Sequence, residues 1–149
     1  MKERFLELFD YNRSMNEDLI RLLNRPELVG KEDLHTLMSH VLNVHGIWLA
    51  RIEGKQPPYK AWAIHSPGDM DEVDEEQLEW TRKTLERDEV DRPISYRDEL
   101  GKTHYDRLPD ILFHIVNHGA HHRAQIAMLS RRYGYEPPEL DYLTWSREG

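Results

Sequence analysis

The sequence predicts an all-α fold: a helical bundle with one short β-hairpin before its last long helix. Three observations predict it. Apolar residues recur every three or four positions through four long stretches, the prolines fall at or between the ends of those stretches, and one alternating segment with a glycine in its turn precedes the fourth. A chain of 149 residues with 38% hydrophobic content suits one domain, residues 1–149, built round one core.

The first helix spans Met1 to Asn24, with Phe5, Leu8, Phe9, Asn12, Met15, Leu19 and Leu22 or Leu23 on one face, and Pro26 ends it. The second runs from Lys31 or Glu32 to Glu53 on Leu34, Leu37, Met38, Val41, Trp48 and Ile52, with Gly54 as its stop, and is expected to lie antiparallel beside the first. From Gly54 to about Asp71, Pro57, Pro58, Pro67 and Gly68 predict a long surface crossover of the kind that can cover a site. Asp74 is the expected N-cap of a polar third helix through Leu78 and Leu85, with Glu75, Glu76 and Glu79 at its positive end. The whole stretch Asp69 to Glu89 is acidic, and with no loop spacing to organise its carboxylates it reads as a solvated face. Between Pro93 and Leu108, Asp98-Glu99-Leu100-Gly101 is flanked by Ile94, Tyr96 and Thr103 to Tyr105, a hairpin that must lean on the bundle. The fourth helix starts near Pro109 and ends near Tyr133, before Gly134, and Leu140 to Trp145 forms a short closing helix.

Composition narrows the chemistry. With no cysteine, disulfides, thiolate metal sites and a cysteine nucleophile are excluded, so a transition-metal site must use histidine and carboxylate, and the nine histidines become the informative residues. The net charge of −8 argues against a nucleic-acid or anionic-membrane partner. No run of 18 apolar residues occurs, and Met1-Lys2-Glu3-Arg4-Phe5 lacks the pattern of a secretory signal, so a soluble cytoplasmic protein is expected.

The fourth helix carries His114, His118, His121 and His122. With Ile115 at the centre of the apolar stripe, His122 lies about 20° away and His118 about 60°, whereas His114 and His121 lie about 100° and about 120° away. His118 and His122 therefore point inward, ~6 Å apart at Cβ, close enough to converge on one ion. The alternative is a pair of core histidines whose ring nitrogens are satisfied by neighbouring groups. A third ligand must come from another helix, and the second offers His35, His40 and His45. Measured from Val41, His45 lies about 40° and His40 about 100° from the apolar centre, so periodicity favours His45.

The segment Asn117-His118-Gly119-Ala120-His121-His122-Arg123-Ala124-Gln125, together with Leu37-Met38-Ser39-His40 and Ile47-Trp48-Leu49-Ala50-Arg51, and more weakly Tyr11-Asn12-Arg13 with Asn16, resembles the DinB/YfiT-like metalloenzymes of the DinB superfamily. The likeness extends from the first helix to the chain end. It implies a four-helix bundle in up-down-down-up order, commonly a homodimer, with the Gly54 to Asp71 loop as its crossover and with His40, His118 and His122 as the metal ligands. His45 stands where members often carry an acidic residue, and Ala124 where they usually carry glycine, a methyl expected to alter a close helix contact. Asn117, Arg123 and Gln125 match the family segment as supporting residues, although Arg123, about 80° off the apolar centre, is equally an expected partner of the third-helix acids. Trp48 and Trp145 are candidate pocket walls or core residues, and His35, His65 and His104 read as loop or surface histidines.

Three neutral imidazoles leave a bound ion its full charge and an open coordination position, the arrangement of a catalytic site. Zinc suits these ligands best, and nickel and other divalent transition metals accept them. The resemblance implies a metal-dependent transferase that activates a low-molecular-weight thiol for attack on an electrophilic small-molecule substrate. The rivals are a hydrolase using a metal-bound hydroxide and a non-catalytic, stress-related metal or small-molecule binding protein.

Overall fold

The computed structural model describes residues 1–87, 89 and 91–148. Its elements are α1 (Lys2–Leu23), α2 (Glu32–Glu53), α3 (Pro67–Arg87), β1 (Pro93–Arg97), β2 (Thr103–Arg107), α4 (Leu108–Arg132) and α5 (Tyr142–Glu148). The structure is mostly helical with one two-stranded antiparallel sheet, in which Ile94 faces Asp106 and Tyr96 faces His104. No helix of the described residues is long and apolar enough to cross a membrane.

Gly54 ends α2 in the left-handed region, φ 68°, where a side chain would be strained. In the hairpin, Asp98 accepts from the backbone N–H groups of Leu100 and Lys102 while Gly101 takes φ 80°. The hairpin leans on the helices through Ile94, which is 2% exposed. Tyr142 and Trp145 of α5 pack edge-on against Tyr11, at ring-centroid distances of 5.1 and 5.6 Å.

Two expectations about helix order need correction. The third helix begins at Pro67, so Asp74 is no N-cap but an interior residue two turns along. Proline fits a first helical turn because its missing N–H has no partner to lose there, and just ahead Ser66 Oγ–H donates to Asp69 at 2.8 Å. The expected continuation to Glu89 runs through Asp88, which lies outside the described residues. The first two helices are also poor neighbours: α1 packs mainly on α3 and then α4, α2 mainly on α4 and then α3, and α1 and α2 barely touch. The cause is polar, because the Asn12 and Asn16 amides on α1 find their partners on α3 and α4.

Those partners form a layer that divides the interior. One apolar cluster holds Leu19, Leu23, Leu34, Met38, Leu42, Met70 and Ile126; the other holds Phe5, Phe9, Ile52, Leu85, Leu108, Ile111 and Ile115. Between them along the helices lie buried Asn12, Asn16, His45, Asp74, Gln77, Thr81 and Arg123. The Arg123 Nη1–H group donates to Asn12 Oδ1 at 2.7 Å and Asn16 Oδ1 at 2.9 Å, and Asn16 Nδ2 donates to Asp74 Oδ1 at 2.9 Å. Arg13 completes the chain, donating to Asp74 Oδ2 at 3.0 Å and pairing with Asp71 at 2.8 Å. Arg123 is thus not a peripheral residue of α4 but 1% exposed, and it meets a third-helix acid only through Asn16. The remaining acids of that helix, from Asp69 to Glu79, are exposed as expected.

Gly119 makes room for this contact. A Cβ there would stand 2.8 Å from Arg123 Nη1 and 2.9 Å from Asn12 Oδ1. Ala124, by contrast, is exposed, so its methyl alters no close helix contact. Gly119→Ala is expected to cost about 1–3 kcal/mol by forcing the Arg123 and Asn12 side chains apart, seen as a lowered urea midpoint, while Ala124→Gly has no comparable effect.

Asp74 gives the layer a pH signature. Burial pushes its carboxyl up from 3.8 to about 6, outweighing the bonds from Asn16 and Arg13. Between pH about 4 and about 6 the folded protein therefore keeps a proton that the unfolded chain has released, so stability falls as pH rises through that window and is level above it. Urea unfolding across this range is expected to show the fall in the parent chain and a flattened profile in Asp74→Asn.

Candidate metal centre

His40 on α2 faces His118 and His122 on successive turns of α4. Each offers a ligand atom within 4.8 Å of the other two, and the ring centroids are 4.5 to 5.0 Å apart. Small side-chain rotations would bring such nitrogens to the ~3.3 Å separation of a tetrahedral site. His118 and His122 are half-buried and His114 and His121 exposed, the division that their spacing predicts.

Two of the three rings are set in the tautomer a metal requires. A carbonyl oxygen only accepts, so the Ala61 oxygen, 2.9 Å from His40 Nδ1, fixes the proton on Nδ1 and leaves Nε2 its lone pair. The amide oxygen of Gln125, 2.7 Å from His122 Nδ1, does the same for His122. The His118 side chain makes no hydrogen bond among the described residues. Burial and the neighbouring rings of His122 and His40 push its pKa down to about 3, and burial lowers that of His40, so both are neutral, electron-pair donors at neutral pH. Three imidazole nitrogen donors with no acid among them fit a divalent transition-metal ion such as zinc or nickel with a coordination position to spare.

His45 is not part of the group. It lies in the polar layer with its Nε2–H donating at 2.9 Å to the Thr81 hydroxyl, which itself donates to the Gln77 carbonyl at 2.8 Å, and its ring stacks on Phe9. Burial drops its pKa to about 4. Periodicity favoured it over His40 because it assumes one buried face, and α2 has several: Leu34 and Val41, Ser39 and Asn43, and His40 are all buried.

The covering of that second face comes from the crossover. His65 donates its backbone N–H to Ser39 Oγ at 2.9 Å and its ring Nε2–H to Asn43 Oδ1 at 2.7 Å, while Asn43 Nδ2 donates to the Ala63 carbonyl at 2.7 Å. This fastening holds Ala61 over His40. Of the histidines expected in loops or at the surface, His65 does lie in the crossover loop but is 8% exposed, His35 is equally buried in α2 and bonds the Leu28 carbonyl, and His104 is a partly exposed residue of β2 paired with Asp98. Trp62, which sequence reasoning missed, lies flat on the His40 ring, with centroids 3.8 Å apart at 7°. Its only sequence signal was its place in a crossover expected to cover a site.

The supporting residues separate. Gln125 orients His122, Arg123 acts through the fold, and Asn117 is exposed without a bond to the histidines. Trp48 stands edge-on to Tyr96 and His114 and walls a cavity of about 290 Å³ beside them, while Trp145 packs on Tyr11. Gln125→Leu is expected to weaken zinc binding about 10- to 100-fold without lowering the melting temperature, measured by competition with a chromophoric chelator.

A model of the DinB family matches residues 1–148. Protein DinB of Bacillus subtilis (strain 168) is 21% identical over 160 aligned residues, covering 95% of this chain and 93% of its own length. A helical chain that carries three convergent histidines and matches the family model over nearly its full length belongs to the DinB family.

Proposed function

We propose that His40, His118 and His122 hold a divalent metal ion, zinc by preference, and that the protein is a metal-dependent transferase that activates a low-molecular-weight thiol for attack on an electrophile. The observation that carries the metal assignment is the pair of fixed tautomers: Ala61 and Gln125 each take an Nδ1 proton, so that two Nε2 lone pairs are presented beside neutral His118.

When bound, the ion supplies a Lewis acid that brings a coordinated thiol or water to ionisation near neutral pH. The chain's own part is placement. The half-buried rings at the rim of the helices leave one side of the cluster open to a substrate, while Trp62 covers His40 and restricts approach from the crossover side. The thiol part of the proposal is supported by the resemblance to family members that use low-molecular-weight thiols. The proposal includes a single domain folded as an up-down-down-up bundle, a homodimer acting in the cytoplasm on a small molecule.

Freshly purified protein is expected to carry about one transition-metal ion per chain by elemental analysis, and His40→Ala, His118→Ala and His122→Ala each to lose most of it, whereas His45→Ala retains it. The loaded protein is then expected to conjugate a small thiol to an electrophile such as a haloarene or an epoxide, with conjugation falling to background in the triple His→Ala variant. Turnover of an ester without added thiol would assign hydrolysis instead, and full metal loading with no turnover would assign binding alone.

A further inference from the structure

A second concavity adjoins the histidine cluster without containing it. A groove of about 550 Å³ runs between the end of α2, the crossover and the hairpin, and Ala61, whose carbonyl holds His40, is part of its wall. In a chain of net charge −8, its lining carries four cations, Arg51, Lys55, Lys60 and Arg97, against two acids, Asp98 and Glu99.

Most of these charges are already engaged. Arg51 pairs with Glu99 at 3.4 Å and lies over the Trp48 and Tyr96 rings, at 4.7 and 5.1 Å from their centroids. Lys55 pairs with Glu53 at 2.9 Å, and Asp98 is taken up by His104 and two backbone N–H groups. Lys60 on the crossover and Arg97 at the end of β1 have no acidic partner among the described residues. They leave the groove with two uncompensated positive charges, one on each of two facing segments. Its remaining surface comes from apolar and aromatic Ile47, Pro57, Tyr59 and Tyr96 together with the polar side chains of Gln56 and Ser95.

We propose that this groove binds a small organic carboxylate with a flat apolar body, its charge met by Lys60 and Arg97 and its body laid against Tyr59 and Pro57. A carboxylate suits the site better than a phosphate dianion. Gly54 brings the negative end of α2 to the groove, no helix N-terminus lines it, and two acids already stand at its hairpin side. Volume agrees as well, since drug-sized ligands occupy clefts of roughly 300–1,000 Å³. As a binding site the groove stands independently of the metal; as the place where the electrophile or the thiol carrier sits, it rests on the function proposed above.

The test uses naphthalene-2-carboxylate and its neutral carboxamide, titrated by calorimetry and by amide chemical shifts into metal-free and zinc-loaded protein. The expected result is saturable binding of the acid to both forms, at least ten-fold tighter than the amide and weakened by salt, with shifts centred on Tyr59, Tyr96 and Arg97. Lys60→Glu with Arg97→Glu is expected to lose at least ten-fold in affinity for the acid while keeping the parent melting temperature and metal content. The acid–amide comparison needs no variant, so a misfolded double mutant does not decide the matter. Equal affinity for acid and amide, no binding, or binding that disappears with the metal would each overturn the proposal. The His118→Ala variant separates the two questions, because loss of metal with retained carboxylate binding leaves the groove standing.

Discussion

The rotation of α4 depends on one buried contact, the Arg123 guanidinium held between the side-chain oxygens of Asn12 and Asn16. A cation at 1% exposure is costly to desolvate and tolerates little displacement from its acceptors, so it acts as a stop on the turning of the helix. Because successive residues differ by about 100°, fixing Arg123 against α1 carries His122 round to the side of α2, and His118, about 40° further, goes with it. Gly119 permits the approach, since any Cβ would occupy the space of the contact itself. The direction of the two α4 histidines thus follows from a group that touches neither of them.

The other side of the cluster is set by a different means. His40 sits on a helix that neighbours cover almost all round, and its orientation comes from the crossover, tied down by Ser39, Asn43 and His65. That tie delivers the Ala61 carbonyl to Nδ1 and the Trp62 ring to the face of the imidazole. A long loop without regular structure ordinarily varies in position, but one bonded to a buried face at three residues can serve as part of a site. Helix-to-helix polar contacts aim two rings and a strapped loop aims the third.

This division explains what could be read from the residues alone. Apart from the start of α3, the helices and the hairpin were legible within a few residues because their apolar periods and their punctuation by Pro26, Gly54 and Gly134 are local signals. His118 and His122 were legible for the same reason, as a pair four residues apart on a helix with a clear apolar stripe. Arg123 was not: the stripe was centred on Ile115, whereas the buried sector runs from Ile111 through Gly119 to Arg123 and Ser130, centred about 40° further round. The burial of a cation depends on Asn12 and Asn16, more than a hundred positions earlier, and a single-helix period carries no trace of them. His40 against His45 failed for a related reason, because α2 is buried on several faces and only the crossover distinguishes them. Asp74 was misread as a cap because Pro67 was taken to exclude a helix when it in fact begins one.

The polar layer is an unlikely device for stability, and its cost bears on what it is for. Within it Arg123 Nε and Nη2, both ends of the Gln77 amide and His45 Nδ1 find no hydrogen-bond partner among the described residues, and each such group is worth roughly 1–3 kcal/mol of lost solvation. Replacing a buried ionic network with apolar side chains of equal volume is often neutral or stabilising, so packing alone would favour joining the two apolar clusters into one. What an apolar layer could not supply is angular definition: leucines accept many rotations of a helix, whereas a guanidinium with two acceptors accepts few. The layer occurs at the height along α4 where His118 and His122 leave the core for its rim, each one residue before a residue of the contact, Gly119 and Arg123. Its energetic cost falls where directional precision is needed, at the level of the three convergent imidazoles.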